Sequence, residues 1–142
     1  MNQFSRGQKG KLSDMGLSDL FMIVLDVKTP GFSADISCFG LDAQGKLSDD
    51  RYMVFYNQKA APQNAVTYSQ SGTCTSFNIN LNALPASIEK LVFTASTDDG
   101  VMRKLGASQL QLADALAFPF SGNDFQDEKA LIVGELYRRD GV

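Results

Sequence analysis

The chain contains no histidine. That absence removes the commonest general base and the commonest transition-metal ligand, so Ser-His-Asp and Cys-His catalysis are excluded and zinc, copper or non-haem iron sites lose their usual donor. Cysteine is scarce: Cys38 and Cys74 are the only two, and they do not form a C-x-x-C pair. Neither a disulfide framework nor a zinc site is indicated, and two reduced, partly buried thiols are expected. Positive charge is not in excess. The net charge is −3 and the pI about 4.8, which leaves no overall field to attract nucleic acid or an anionic membrane surface. Long apolar runs are missing too. The longest, Leu20 to Leu25, is strand-sized, well below the roughly 20 residues that span a bilayer. The opening MNQFSRGQKGKLSDMG has positive charge without an apolar stretch behind it, so it does not read as a secretory signal. A cytoplasmic protein without direct membrane insertion is expected. A Walker loop and a strand-to-helix G-x-G-x-x-G are absent as well, so nucleotide phosphates have no recognisable cradle.

What is present suits a folded domain. The 142 residues are 44% hydrophobic and 20% charged, near the globular average, and one domain over 1–142 is expected. Residues 1–19, rich in Gly, Ser, Lys and Asp, form a polar lead-in that can supply one short edge strand. LFMIVLDV, Leu20 to Val27, reads as a buried strand ended by Thr29-Pro30-Gly31. DISCFGL, Asp35 to Leu41, sets Ile36, Cys38 and Gly40 on one face. Asp42 to Gly45 has the chemistry of a tight turn, from which Tyr52 to Tyr56 returns to make a hairpin. Gln58 to Thr73 is a long loop or weak edge strand with Val66 and Tyr68 as anchors. Further strands are expected at Phe77 to Leu81, Leu91 to Thr97, around Leu110, around Phe118, and from Ala130 to Arg139. Roughly eight to ten short strands without a useful amphipathic helix argue for an all-β fold, a sandwich or a barrel.

With imidazole absent, the remaining site chemistry is that of oxygen: carboxylates, amides, hydroxyls and carbonyls, which are hard-cation ligands. Calcium takes about six to eight such oxygens, and an all-β domain offers them on its strand-end loops. Asp35 opens one strand, Asp49-Asp50 open another, and Asn57 closes it. Pairing through the Asp42–Gly45 turn would bring Asp35 towards Asn57 and leave Asp49-Asp50 near the turn, an arrangement suited to two sites or to a loop that folds back. For Asp49-Asp50 a solvated turn before a strand is an equal reading, and for Asp98-Asp99-Gly100 a plain hairpin turn is favoured. DAQGKLSDD fails as an EF-hand loop, because Lys46 occupies a ligand position and no helices flank it. No enzymatic activity is expected. Nothing places two carboxylates around a cleft for glycoside hydrolysis, and neither cysteine has a basic neighbour to activate it towards an oxyanion such as tellurite.

The block FSADISCFGLDAQGKLSDDRYMVFYNQ, followed by INLNALP, IEKLVFTAS and the ending GELYRRDGV, resembles the TerD family of tellurite-resistance and stress-response proteins over nearly the whole chain. DISCFGLD and SDDRY are closer to its TerA-like branch. The resemblance implies a β-sandwich of two packed, mainly antiparallel sheets in a bacterial, non-catalytic resistance module. It implies partners among other tellurite-resistance or stress proteins, in a complex that can be membrane-associated. In calcium-binding members, acidic loops at one end of the sandwich hold the ions, and the matching positions here are Asp35, Asp49, Asp50 and Asn57. This chain departs from the pattern where such members carry a dense acidic run, reading SQSGTCTSFNINL instead, so Ca2+ binding is expected to be weakened. The family continues past Y-R-R-x-G-x with an aromatic-rich tail, so a domain truncated at Val142 is expected. The alternative is a metal-free interaction scaffold in a multi-subunit resistance complex.

Overall fold

The computed structural model describes residues 2–3, 20–27, 35–47, 49–56, 58–71, 74–85, 87–97, 106, 108–112, 116–120 and 130–137. Their strands in chain order are β1 (Asn2–Gln3), β2 (Leu20–Asp26), β3 (Asp35–Leu41), β4 (Met53–Val54), β5 (Val66–Ser71), β6 (Cys74–Asn80), β7 (Lys90–Ser96), β8 (Ser108–Leu112), β9 (Leu116–Phe120) and β10 (Ala130–Tyr137). Two sheets form, one ordered β1-β9-β8-β2-β6-β5 and the other β10-β7-β3-β4. Every pairing is antiparallel except that of β1 with β9. The expected all-β sandwich is what the chain builds, and the short edge strand of the lead-in is β1.

Side-chain alternation decides which face of each strand is hidden. In β2, Phe21, Ile23 and Leu25 are buried while Leu20 and Met22 face outward. In β3, Ile36, Cys38 and Gly40 turn inward, as the sequence suggested. The two sheets meet through aromatic rings. Phe77 of β6 and Phe93 of β7, both fully buried, lie edge to face with centroids 5.4 Å apart, and Tyr68 of β5 meets Phe77 at 5.7 Å. Burial of such rings supplies the largest apolar area per side chain in the core.

The expected hairpin after β3 forms with a difference. Asp42 organises its turn: Oδ1 accepts from the N–H groups of Gln44 and Lys46, each at 2.9 Å, and Gly45 takes a positive φ of 77° that suits its missing side chain. Tyr52, however, belongs to a single 3-10 turn, Asp50–Tyr52, and the returning strand shrinks to Met53–Val54. The physical reason is the Asp49 cap described below.

The segment from Gln58, expected as a long loop or weak edge strand, contains β5 at the edge of the first sheet, and the residues before β5 link the two sheets. Phe55 and Gln58 bridge beyond β4 of the second sheet. Ala60 bridges to Thr67, and Tyr68 N–H donates to Lys59 C=O at 2.8 Å, along β5 of the first. Asp98-Asp99-Gly100, Thr29-Pro30-Gly31 and residues 4–19 lie outside the described residues.

Candidate functional site

Asp49 has an extended backbone (φ −137°, ψ 110°) and stands just before the Asp50–Tyr52 turn, where its Oδ1 accepts the Arg51 N–H at 3.0 Å. Such capping satisfies an amide that the short helix leaves without an internal partner. The same carboxylate takes the Arg51 side chain with both oxygens: Nε lies 3.0 Å from Oδ1 and 3.2 Å from Oδ2, and Nη2 lies 2.7 Å from Oδ2. This fork geometry is the strong form of a carboxylate–guanidinium pair.

The Arg51 side-chain and backbone hydrogen bonds hold the Asp49 carboxyl below the usual aspartate range. A folded-state pKa that is depressed stabilises the fold above the unfolded value, and that contribution is lost as pH falls through the folded value. Carboxyl-carbon NMR titration of Asp49 is expected to give a midpoint below about 3.9, rising towards it in Arg51→Ala. A midpoint at the ordinary value, or one indifferent to Arg51→Ala, contradicts the pair.

Gln58 completes the arrangement. Its Nε2 donates to the carbonyls of Asp50 at 2.8 Å and Met53 at 2.7 Å, so one amide stitches the start of the 3-10 turn to β4. Phe55 and Gln58 exchange backbone hydrogen bonds, each 3.0 Å, and Asp49 C=O accepts from Tyr52 N–H at 3.0 Å. Tyr52 is buried directly over Gly40, where an added Cβ would stand 2.8 Å from the Tyr52 Cβ. Asp49, Arg51 and Gln58 thus brace a turn that holds the Tyr52 Cβ close over Gly40 of β3.

Asp35 stands elsewhere. It opens β3 opposite Ser96 of β7 and is exposed. Burial, and then the nearby Asp35 carboxylate, push up the pKa of Tyr68, whose hydroxyl donates to Gln70 Oε1 at 3.2 Å. Asp35 and Leu41 are the two ends of β3, about 20 Å apart at roughly 3.3 Å per residue, and the turn that leads on to Asp49-Asp50 follows Leu41. The structure therefore does not bring Asp35 to Asp49 or Asp50. Asn57, the fourth predicted residue, lies outside the described residues.

Among the described residues no group of three or more His, Cys, Asp or Glu could hold a metal ion. The donor chemistry agrees, because a calcium ion at Asp49 would first have to displace the guanidinium from both oxygens. Asp35, Asp49 and Asp50 together do not fit one calcium site. Cys38 is fully buried with its thiol pushed well up by desolvation, which disfavours the nucleophilic thiolate. Sequence reasoning missed Arg51, Gln58 and the Gly40–Tyr52 contact. The available signals were an arginine two residues after a capping aspartate and an amide that ends an apolar alternation.

An all-β sandwich with an internally braced acidic turn is the class these features define. The chain belongs to the TerD domain family, whose model matches residues 1–142. It is 32% identical over 127 residues to general stress protein 16U of Bacillus subtilis, covering 78% of this chain and 66% of that protein. It is 27% identical over 129 residues to tellurium resistance protein TerD of an Alcaligenes species, covering 78% and 67%. The chain thus spans about two thirds of the length of these relatives. A solved structure of a homologue of telluride resistance protein TerD from Streptomyces coelicolor shares the fold, with a TM-score of 0.62 at 18% identity over 85% of this chain and 83% of that one. Among the described residues no helix is long and apolar enough to cross a membrane.

Proposed function

We propose that the chain is a non-catalytic module of a bacterial tellurite-resistance or stress-response system, working through protein contacts without an ion at Asp49-Asp50. The observation that carries this reading is the family match over residues 1–142, joined to relatives named for general stress and for tellurium resistance. The internal use of Asp49 by Arg51 and of Gln58 by two carbonyls supports a structural role for that block. Its partners are other resistance or stress proteins, including those of a membrane-associated complex, and its setting is the cytoplasm.

A second reading keeps the ion and is favoured by the exposed Asp35 at the start of β3: a calcium ion held at that end of the sandwich. One calorimetric titration separates the two. The metal-free module is expected to give no saturable heat up to millimolar calcium, and its co-purification with other resistance proteins is expected to survive chelator. A saturable heat abolished by Asp35→Asn but not by Asp49→Asn establishes the second reading instead. For the non-catalytic character, a host lacking the chain is expected to recover tellurite tolerance equally with the native chain and with the Cys38→Ser/Cys74→Ser variant. Loss of tolerance in a folded double variant would overturn it.

A further inference from the structure

We propose that Gln58 to Ala61 is a strap that opens as one unit from the outer side of β5, and that the Asp50–Tyr52 turn governs its opening through the Gln58 amide. The strap runs from one sheet to the other. At its start Gln58 pairs with Phe55 beyond β4. Further on, Lys59 C=O accepts the Tyr68 N–H at 2.8 Å and Ala61 N–H donates to Val66 C=O at 2.9 Å. The strap is therefore the outer neighbour of β5, the last strand of the six-stranded sheet. Little apolar surface holds it there. Lys59 and Ala60 are exposed, and Ala61 buries only a methyl group. Segments tied by backbone hydrogen bonds, with few buried side chains, open well before the core unfolds.

The bend on which the strap turns is strained. Gln63 and Asn64 have consecutive positive φ values of 57° and 54°, and unlike Gly45 each carries a Cβ. Left-handed residues of this kind persist only where the surrounding bonds hold them. Beyond the bend the chain is anchored, because Ala65 is buried and its C=O accepts the Asn80 N–H at 2.8 Å. Opening relaxes the bend, and Gln58 opposes it. The Gln58 Nε2 bonds to the Asp50 and Met53 carbonyls, 2.8 and 2.7 Å, must both break when the strap leaves. Displacing the turn withdraws the Asp50 acceptor, so the Asp49 cap and its Arg51 fork hold the strap at one remove. The coupling is reciprocal, since whatever stabilises the open strap loosens the turn by the same factor. With the strap open, Val66 C=O and Tyr68 N–H lose their partners, and access to the β5 edge is set from the acidic turn.

Amide exchange of the full chain, followed residue by residue by NMR at low urea concentrations, is the test. The Ala61 and Tyr68 amides are expected to open together, at least about tenfold more often than that of Phe93 in the other sheet. Their opening is expected to be nearly insensitive to urea, because it exposes little surface, whereas that of Phe93 rises with urea. Gln58→Ala is expected to speed exchange at Ala61 and Tyr68 about tenfold, through the loss of two hydrogen bonds. Asp49→Ala, which touches the turn and not the strap, is expected to speed the same two amides about threefold through the lost cap. Gln63→Gly removes strain from the closed state and is expected to slow them about threefold. Circular dichroism checks that each variant folds. Exchange at Ala61 and Tyr68 that follows Phe93 in rate and urea dependence overturns the proposal, since the strap then opens only with the whole fold. Exchange at these two amides that Gln58→Ala or Asp49→Ala leaves unchanged, or that Gln63→Gly does not slow, overturns it too.

Discussion

Replacing Phe77 by alanine is expected to remove about 3–5 kcal/mol of folding stability, the range for deleting a fully buried aromatic ring. Phe77 sits in β6 between Ile23 of β2 and Tyr68 of β5, and its ring crosses to Phe93 of the opposite sheet at 5.4 Å. The substitution therefore removes contacts within one sheet and between the two, and it leaves a cavity lined by residues that β-strand pairing holds in place. A domain of ordinary stability has about 5–15 kcal/mol in hand, so the variant is left close to its threshold, with a Tm lower by roughly 10–20 °C. Phe77→Leu keeps most of the volume and is expected to cost far less. Urea unfolding followed by circular dichroism measures both. Near-equal midpoints for Phe77→Ala and the native chain would mean that the ring does not join the sheets.

That ring was partly visible from the primary structure. In FNINL, the strand expected over Phe77 to Leu81, the alternation sets Phe77 and Ile79 on one face, because a period of two has one physical meaning on a pleated strand; the strand observed runs from Cys74 to Asn80. Its partners were not visible. Nothing local tells β2 to lie between β6 and β8, since partner choice depends on how the finished layers stack. The hairpin after β3 was legible at its turn, where Asp42 and Gly45 carry turn chemistry of their own, and misread at its return. Tyr52 looks like a strand residue by pattern, but the Asp49 cap and the Gln58 amide hold it in a 3-10 turn, and those bonds link groups whose approach the pattern does not encode. The candidate site shows the same divide. Residue types announce oxygen donors at Asp35, Asp49, Asp50 and Asn57, yet which oxygens are already engaged is a matter of geometry. Arg51 takes both from Asp49, and the length of β3 separates Asp35 from them.

Gly40→Ala is expected to destabilise the fold by about 1–3 kcal/mol, the cost of forcing volume into a filled core, and Gly40→Val by more. An added Cβ would stand 2.8 Å from the Tyr52 Cβ and 3.4 Å from both the Tyr52 Cγ and the Ile88 Cγ2, and Tyr52 and Ile88 are buried. The backbone cannot move away easily, because β3 is held between β7 on one side and β4 on the other. The nearest obstacle is a Cβ, which every residue except glycine possesses, and this gives the prediction a discriminating form. Trimming the ring by Tyr52→Ala cannot relieve the clash, so Gly40→Ala should cost nearly the same in the native and Tyr52→Ala backgrounds. A double-mutant cycle on urea midpoints measures the difference. If Tyr52→Ala instead absorbs most of the cost, the ring and not the close strand-to-turn approach is what requires glycine at position 40. The braced turn would then rest on β3 by a soft contact, and Asp49, Arg51 and Gln58 would be holding a side chain in place rather than a backbone.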